Sequence, residues 1–468
     1  MKRIVFGLLF AGQIHAAAPV FFRTWPSPAA PDSQCSNLVA GPDGTLHLTW
    51  SGASERPGER ALRHASLAPG AREWSAPRII ISTTLLMENW ADFASMCVGT
   101  DGALTAQWFQ RPSEGEARGY DGWFSRSTDH GKTWRAPARL GHEFVSLAPL
   151  SGGRTLAVWL ESARMRDPTT PRVKRDPKAP RPARDPSAPY APSMKLSACL
   201  LAPDGSRLGE WTVDPDVCTC CQTTAAVLPG DRVFIAYRGH DADEIRDNRQ
   251  VIFDLAGSTF TKPTSLHEDR WKIPACPVNG PAADAHGATL AVAWFTAADG
   301  APKVQVRGSN DGGKTMGEAV RVDLGRPMGR IETVVLGDGS ALILWMEAGT
   351  TENAAGIHAR RLLPDGRLSQ PRLLADSSQA RASGFPRAAR RADGRVIVAW
   401  TRSGEPNQVQ IGEIDASALP VSDLRTSRAF FSVPPPLEFC EVPVSQHAAF
   451  GSPAVPVAHA EGATPSVP

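Results

Sequence analysis

Arginine, asparagine and carboxylate side chains are concentrated in a few short polar segments of the sequence. We predict that this group contains the ligand-binding residues, which are Arg238, Arg246, Asn279, Arg330 and Arg387. A guanidinium group pairs with a carboxylate through two parallel hydrogen bonds, so several arginines around one pocket would suit an acidic ligand. The candidates for acid, base or nucleophile support in a hydrolytic reaction are Asp92, Asp241, Asp247 and Glu332. The alternative is an ordinary solvated surface with salt bridges.

Cysteines form a second group with possible chemistry. Cys218, Cys220 and Cys221 lie together, and Cys276 precedes a similar strand-like segment further along. The favoured prediction is disulfide bonding, pairing Cys35 with Cys97 and one cysteine of the triplet with Cys276, and it requires no cofactor. The alternative is a thiolate site for copper(I) or zinc, although Cys-x-Cys-Cys lacks the paired spacing typical of zinc sites.

The polar and Cys-containing segments are positioned by a sequence repeat. Each copy of the repeat contains a glycine turn, a short apolar run and an aromatic residue. The seven aromatic residues are Trp50, Trp108, Trp159, Tyr237, Trp294, Trp345 and Trp400. The third and fourth copies are separated by a Pro- and Arg-rich insertion at 164–192, which cannot bury enough apolar surface to order itself. Each copy reads as a four-stranded antiparallel meander, and such sheets stack around an axis. We therefore predict an all-β β-propeller of seven blades, with six blades as the alternative.

The ends of the chain are predicted to fall outside the blades or to close them. Residues 1–16 read as a signal peptide, with Lys2 and Arg3 before a short apolar run and small residues near Ala16. The propeller is predicted over 17–431 and a disordered Pro- and Ala-rich tail over 432–468. Residues 20–25 are predicted to complete the seventh blade, and 427–433 are the competing segment.

Two octapeptides carry a resemblance to a known family. Residues 127–134 read Ser-Thr-Asp-His-Gly-Lys-Thr-Trp and 309–316 read Ser-Asn-Asp-Gly-Gly-Lys-Thr-Met. This pattern resembles the Asp box, or BNR repeat, of sialidases and related β-propellers. The structural residues of the two boxes are then Ser127, Asp129, Gly131, Trp134, Ser309, Asp311 and Gly313. The carboxylates are expected to build turns on the face away from the channel mouth, and so to take no part in catalysis.

The family resemblance implies a catalytic pattern that this sequence matches poorly. Enzymatic sialidases are six-bladed, hold the sugar carboxylate with three arginines, and use a Tyr nucleophile with a Glu and an Asp acid/base. No tyrosine follows Tyr237, which itself occupies the aromatic position of a repeat. The motifs at 237–247 and 276–281 are also similar to those of uncharacterised exported sialidase-like proteins of bacteria.

These patterns lead to two functional predictions. The first is an exported sialidase-like propeller that binds an acidic or glycan ligand at the channel mouth, with hydrolysis left open. The alternative is a non-enzymatic propeller that binds a metal ion or a protein partner through the Cys-containing mouth. A net charge of +2 gives no case for nucleic acid, and no run is apolar and long enough to span a membrane. We expect a periplasmic or secreted monomer.

Overall fold

The chain folds into seven antiparallel sheets arranged as blades around a central channel. This structure is a computed structural model, and it describes residues 21–112, 119–163, 192–425 and 439–440. The first strand of every blade contacts the first strands of both neighbouring blades, which closes a ring of seven. The predicted all-β propeller with seven blades is therefore confirmed, and the six-bladed alternative is not.

The strands of each blade follow one another in chain order from the channel outward. Blade one contains Ser33–Ala40, Leu46–Ala53, Arg60–Leu67 and Arg78–Thr83, and blade two contains Ser95–Val98, Leu104–Gln110, Asp121–Ser127 and Ala138–Arg139. Blade three contains Glu143–Pro149, Thr155–Ser162, Met194–Leu201 and Arg207–Asp214. Blade four contains Thr224–Leu228, Arg232–Arg238, Asn248–Asp254, Thr259–Thr261 and Thr264–Ser265.

The remaining blades follow the same plan with one exchange at the end. Blade five contains Ala282–His286, Thr289–Thr296, Lys303–Ser309 and Val320–Arg321. Blade six contains Pro327–Val335, Ala341–Ala348, Ala354–Leu362, Arg367–Ser369 and Arg372–Ser378. Blade seven contains Arg387–Arg390, Val396–Arg402, Gln408–Ile414 and the N-terminal strand Phe22–Trp25. Short 3-10 turns cover Ser151–Gly153, Ala298–Gly300, Arg381–Ser383 and Ala416–Ala418.

The second strand of each blade is buried on both faces between neighbouring blades. This explains why these strands are nearly continuous apolar runs rather than alternating ones. The seven repeat aromatics lie on these strands and are between 0% and 6% exposed. The polar atoms of two of them have clear partners: Tyr237 donates to Asp214 at 2.8 Å, and the Trp345 indole donates to Glu347 at 2.6 Å. Tyr237 is therefore a packing residue between blades.

The N-terminal strand closes the ring, as the sequence predicts. Phe22–Trp25 pairs antiparallel with Gln408–Ile414, with Phe22 opposite Ile414 and Trp25 opposite Ile411. The Phe22 ring lies 6.3 Å from that of Trp400, and it occupies the space that a side chain at Gly412 would need. The strand covers the edge of blade seven, which would otherwise be open to pairing with another chain.

Several predicted segments lie outside the described residues. These are the signal peptide at 1–16, almost all of the insertion at 164–192, the competing closing segment at 427–433, and most of the tail at 432–468. Two short pieces of the C-terminal region add edge strands: Val421–Arg425 pairs with Arg367–Ser369, and Phe439–Cys440 pairs with Thr259–Thr261. Within the described ranges, no helix has both the length and the apolar character that a membrane span requires.

Both octapeptides form the tight turn expected of them. In the first, the Asp129 carboxylate accepts the backbone N–H of Lys132 at 3.0 Å and of Thr133 at 2.9 Å. The hydroxyl of Ser127 accepts the N–H of Gly131, whose φ of +78° favours glycine. These bonds hold the pKa of Asp129 well below its usual range, the hydroxyl of Thr133 being the largest cause. Asp311 makes the same contacts with Thr315.

The two turns also define the faces of the propeller. Each connects the third strand of its blade to the outer strand, at 127–138 in blade two and 309–320 in blade five. Loops from second to third strands, and loops leading to the next blade, emerge at the opposite end of the meander. We call that end the channel mouth.

Candidate functional site at the channel mouth

A cavity of about 180 Å³ lies on the axis at the mouth, where the first strands of the blades begin. Side chains from every blade line it, because each first strand passes the axis once. Among the described residues, three of the predicted site residues line this cavity: Asp92, Glu332 and Arg387. The other predicted residues are placed elsewhere, and each has identifiable partners.

Asp92 is a buried carboxyl at the cavity wall. Its Oδ2 accepts the hydroxyl of Tyr120 at 2.7 Å, and its Oδ1 accepts the backbone N–H of Phe144 at 2.9 Å. Burial raises the pKa of Asp92 well above its usual range, and the nearby charge of Glu143 raises it further. Burial and Asp92 together raise the pKa of Tyr120. Sequence reasoning did not place Tyr120 in the site, since only the fold brings it to Asp92.

Glu332 and Arg387 form an ion pair in the wall of the axial cavity. The Arg387 Nε lies 2.9 Å from the Glu332 Oε2, although the two groups do not align as a hydrogen bond. Burial raises the pKa of Glu332 from 4.5 to about 6, and the Arg387 charge only partly offsets this. The guanidinium also lies 5.9 Å from the ring centroid of Phe93. This pair is the one polar contact that joins two predicted site residues inside the cavity of the described chain.

The guanidinium of Arg238 donates its hydrogen bonds to backbone carbonyl groups. It is 2% exposed, donates to Asn279 O at 2.7 Å and to Phe295 O at 2.8 Å, and donates to Arg246 O at 2.7 Å. Its guanidinium also lies 4.9 Å from the Trp271 ring centroid. Arg238 therefore binds blade four to blade five and presents no paired donors to the axial cavity.

Asn279 and Arg330 form a similar structural contact between blades five and six. The Asn279 Oδ1 accepts the backbone N–H of Arg330 at 2.8 Å, and its Nδ2 donates to Met328 O at 3.1 Å. The Arg330 guanidinium donates to Ala380 O at 3.0 Å and lies 4.8 Å from the Trp90 ring centroid. Burial lowers the pKa of Arg330 to about 10.

The two remaining predicted carboxylates shape loops. Asp241 accepts the backbone N–H groups of Asp243 and Ile245, each at 3.0 Å, inside its own turn. Asp247 accepts the N–H of Arg270 at 2.7 Å and of Trp271 at 2.9 Å, which ties two mouth loops together. Burial raises the pKa of Asp247. The predicted convergence of Arg238, Arg330 and Arg387 is therefore not seen, since each has a different set of partners.

Three cysteine sulphurs meet in the loop that leads into blade four. The Sγ of Cys218 lies 4.0 Å from that of Cys220 and 3.9 Å from that of Cys221. All three sulphurs lie within 4.8 Å of one another, and Cys218 and Cys221 are each 1% exposed. We call these three residues the thiol triad. The exposed Cys276 joins them from the loop before blade five, where its Sγ is 3.3 Å from Thr219 Oγ1.

The predicted disulfides are not present. Cys35, Cys97, Cys218, Cys220, Cys221 and Cys276 are all free thiols, as is Cys199. The triad sulphurs are almost twice the length of an S–S bond apart, which is about 2.05 Å. Cys35 and Cys97 occupy matching strands but point to different surroundings: the Cys35 thiol donates to Asn89 O at 3.5 Å, while Cys97 is buried. Burial raises the pKa of both thiols to about 12.

The surroundings of the triad favour a thiolate at Cys218. Hydrogen bonds from the Cys220 and Cys221 thiols lower the pKa of Cys218, and the positive charge of Arg238 and a hydrogen bond from Arg246 lower it further. Arg246 donates directly to the Cys218 sulphur at 3.3 Å through Nη1, and to Glu244 at 2.8 Å through Nη2. Burial raises the pKa of Cys221 to about 12. Arg246 was predicted to bind a ligand, but its guanidinium donates a hydrogen bond to the Cys218 sulphur instead.

The loop that carries the triad is anchored to four blades. Cys218 N donates to Arg238 O at 3.0 Å, and Gln222 Nε2 donates to Ala91 O at 2.6 Å. The Thr223 hydroxyl donates to Phe144 O at 2.8 Å, and Gly280 N donates to Gln222 Oε1 at 2.9 Å. A β-carbon at Gly280 would lie 2.0 Å from Gln222 O, so only glycine permits this approach. The thiols are thus held on a rigid frame.

The spacing of the triad suits a soft metal ion. Two sulphurs that each lie about 2.3 Å from a common ion are roughly 3.8 Å apart in tetrahedral and 4.0 Å apart in trigonal coordination. The separations of 3.9 Å and 4.0 Å from the Cys218 sulphur fall in this range, and the Cys220 and Cys221 sulphurs lie within 4.8 Å of each other. Thiolate ligands select copper(I) and zinc among the biological metals. The residues present therefore fit a thiolate metal site.

Comparisons with known proteins return structural likenesses only. No protein-family model and no curated protein matches this sequence. A protein of unknown function from Dyadobacter fermentans has 15% identity and a TM-score of 0.43, over 84% of this chain and 99% of that chain. The K499G mutant of NanB sialidase from Streptococcus pneumoniae has 8% identity and a TM-score of 0.45, over 85% and 95%.

A third likeness is to an alpha-L-arabinanase from Penicillium chrysogenum, complexed with arabinobiose. It has 12% identity and a TM-score of 0.41, over 85% of this chain and 98% of that chain. Likenesses at these identities and TM-scores assign neither an activity nor a ligand to this chain.

Proposed function

We propose that this propeller binds one thiophilic metal ion, copper(I) or zinc(II), at the channel mouth. The ligands are the thiolates of Cys218, Cys220 and Cys221, with Cys276 beside them. The observation that carries the proposal is the meeting of three sulphurs within 4.8 Å of one another on one anchored loop.

The surroundings supply what such a site needs beyond its ligands. Arg246 offsets negative charge at the Cys218 sulphur and is itself held by Glu244 and by Ile273 O at 2.8 Å. Outer contacts of this kind fix ligand orientation and raise metal affinity. Because Cys218 and Cys221 are buried, water would be kept away from an ion held by these thiols.

The test is metal loading of the purified full chain under reducing, oxygen-free conditions. We expect one equivalent of copper(I) to be retained against bathocuproine disulfonate, or one of zinc(II) against 4-(2-pyridylazo)resorcinol. Cys218→Ser and Cys221→Ser are each expected to abolish retention, whereas Cys97→Ser, at a buried thiol in blade two, is expected to retain the metal. Failure of the wild-type chain to retain either ion would refute the proposal.

A second candidate function is binding of an acidic or glycan ligand in the axial cavity. It is supported by the presence of Asp92, Glu332 and Arg387 around one cavity. We expect release of 4-methylumbelliferone from at least one member of a glycoside panel that includes a sialoside, with loss of release in Arg387→Met. No release, together with no heat of binding for the free sugars, would eliminate this candidate.

Export of the chain is also part of the proposal. Lys2 and Arg3 precede a short apolar run, and small residues follow near Ala16, as in cleaved secretory signals. We expect the full-length gene product to appear in the periplasm or the medium with a new N-terminus near residue 17. Recovery of the uncleaved chain from the cytosol would contradict export.

A further inference from the structure

The four thiols at the mouth differ sharply in their access to solvent. Cys218 and Cys221 are buried and Cys220 is half-buried, whereas Cys276 is exposed. Pro274 and Ala275, which precede Cys276, are exposed as well. The Cys276 sulphur lies outside the group of three sulphurs that are all within 4.8 Å of one another, so an ion bound to the triad would meet solvent, and any incoming ligand, on the side of this exposed fourth thiol.

The loop that carries Cys276 is fixed at its two ends rather than at the cysteine. Ile273 N donates to Glu244 O at 3.0 Å, and Asn279 Nδ2 donates to Pro277 O at 3.3 Å. The Cys276 sulphur itself contacts Thr219 Oγ1 at 3.3 Å and interacts with the Cys220 thiol. The triad loop, in contrast, is anchored to four blades. Cys276 is thus the thiol of the mouth that can move with the least rearrangement.

From this asymmetry we infer that Cys276 is the exchange thiol of the site: it binds the ion only during transfer, and the ion passes through it to and from a thiol-bearing acceptor. The inference rests on the proposed metal binding and assigns two roles within the site. The triad retains the ion, and Cys276 transfers it to and from the acceptor. The acceptor is a protein cysteine or a small thiol, because only a ligand as soft as the resident thiolates competes for the ion.

The exchange step conserves bonds, protons and charge. The Cys276 thiol binds the ion as a thiolate while one bond between the metal and a triad sulphur breaks, and acceptor thiols then replace the remaining sulphurs in the same way, one bond formed for each bond broken. The proton released by each entering thiol is taken up by the sulphur that leaves. The oxidation state of the metal does not change, so no oxidant or reductant is needed.

This role predicts an effect opposite in sign to that of a merely structural fourth ligand. Replacing a structural ligand weakens the site and speeds release of the ion. Replacing an exchange thiol removes the group that takes the ion from the triad and passes it to the acceptor, so the ion stays in the triad and its transfer slows.

The experiment measures transfer of copper(I), or of zinc(II) if that is the retained ion, from the loaded full chain to excess glutathione. Stopped-flow rates are compared for wild type, Cys276→Ser and the matched control Cys199→Ala, a buried cysteine of blade three. We expect Cys276→Ser to load one ion and to transfer it at least tenfold more slowly, with the control unchanged. Faster or equal transfer from a stoichiometrically loaded Cys276→Ser protein would overturn the inference.

A second measurement avoids any effect of the substitution on folding. N-ethylmaleimide is added to the loaded wild-type chain, and the modified residue is identified by mass spectrometry. We expect Cys276 to react first, the ion to be retained, and transfer to glutathione to slow. Prior reaction of a triad cysteine, or loss of the ion when Cys276 reacts, would contradict the inference. Failure of the proposed function itself is seen separately, as failure of the wild-type chain to load.

Discussion

Replacing Arg246 with glutamine is expected to weaken metal binding by about 10- to 100-fold. The Nη1 of Arg246 lies 3.3 Å from the Cys218 sulphur, so the substitution removes both a hydrogen bond and a positive charge from a buried thiolate. A hydrogen bond to a charged group contributes about 1.5–3 kcal/mol. At about 1.4 kcal/mol for each factor of ten, this corresponds to roughly one to two orders of magnitude. Loss of an outer contact at metal sites has an effect of similar size, about 10–100-fold.

The assay is competition for copper(I) with bathocuproine disulfonate, or for zinc(II) with 4-(2-pyridylazo)resorcinol, at constant pH and ionic strength. Arg270→Gln is the matched control, because it removes the same charge from an exposed side chain of the neighbouring loop. The control is expected to change affinity by less than about twofold, since exposed charges contribute little. Arg246→Lys is expected to be intermediate, because it keeps the charge but loses the forked geometry.

The fold of the Arg246 variant needs its own check. Arg246 also donates to Ile273 O and Glu244, so its loss loosens the contact between two mouth loops. Thermal unfolding followed by circular dichroism will show whether the blades remain intact. Unchanged metal affinity in an Arg246→Gln protein that unfolds like wild type would refute the role assigned to this residue.

Three further predictions concern stability. Burial holds the pKa of Glu332 at about 6 instead of 4.5, so ionisation of Glu332 lowers the free energy of unfolding by about 2 kcal/mol as the pH rises through this range. Denaturant unfolding should therefore show the stability of Glu332→Gln rising by that amount relative to wild type between pH 4 and pH 7.5. A difference in stability that does not change with pH would contradict this cause. The buried, stacked His47 and His64 have pKa values lowered by burial, that of His47 to about 4, whereas in the unfolded chain it is 6.5. The contribution of His47 to the free energy of unfolding is therefore fully present above pH 6.5 and should fall by about 2.5 kcal/mol by pH 4.5, a loss that His47→Gln should remove. An equal loss of stability in the variant would show that the pH dependence has another origin. Deletion of Phe22–Trp25 uncovers the edge at Gln408–Ile414 and should lower the melting temperature and promote association, measured by calorimetry and light scattering. A melting temperature and light scattering equal to those of the wild type would show that this strand is dispensable.

The architecture could be predicted from the sequence because it is repeated and local. Each glycine turn, apolar run and aromatic residue encodes a first and second strand, and seven copies must stack to bury their faces. The turn chemistry at Asp129 and Asp311 was equally local, since the carboxylate bonds only to residues of its own turn. Closure by Phe22–Trp25 could be predicted because the seventh blade had to be completed by a segment near one end of the chain.

The roles of the mouth residues could not be predicted in the same way. Arg238 and Arg330 do lie in mouth segments, but their guanidinium groups turn toward backbone carbonyls that come from other blades. Which carbonyls lie within reach depends on blade packing, which sequence spacing does not encode. Tyr120 was missed as the partner of Asp92 for the same reason.

The cysteines also show that matching positions in a repeat do not predict which side chains meet. Cys35 and Cys97 occupy corresponding strands of adjacent blades, which suggested a disulfide. Their strands differ in backbone geometry, since Cys35 sits at a bulge with φ of +55°, and their thiols have different neighbours. The triad could be proposed as a metal site from its residue types, but its sulphur separations were needed to favour that site over a disulfide.

The most direct test of the central claim is X-ray absorption spectroscopy of the metal-loaded full chain. If the triad binds the ion, the first coordination shell will contain three or four sulphur scatterers at about 2.3 Å, and Cys218→Ser and Cys221→Ser will lose this shell. A first shell of nitrogen and oxygen only, or a sulphur shell that persists in both serine variants, would contradict metal binding by these thiols.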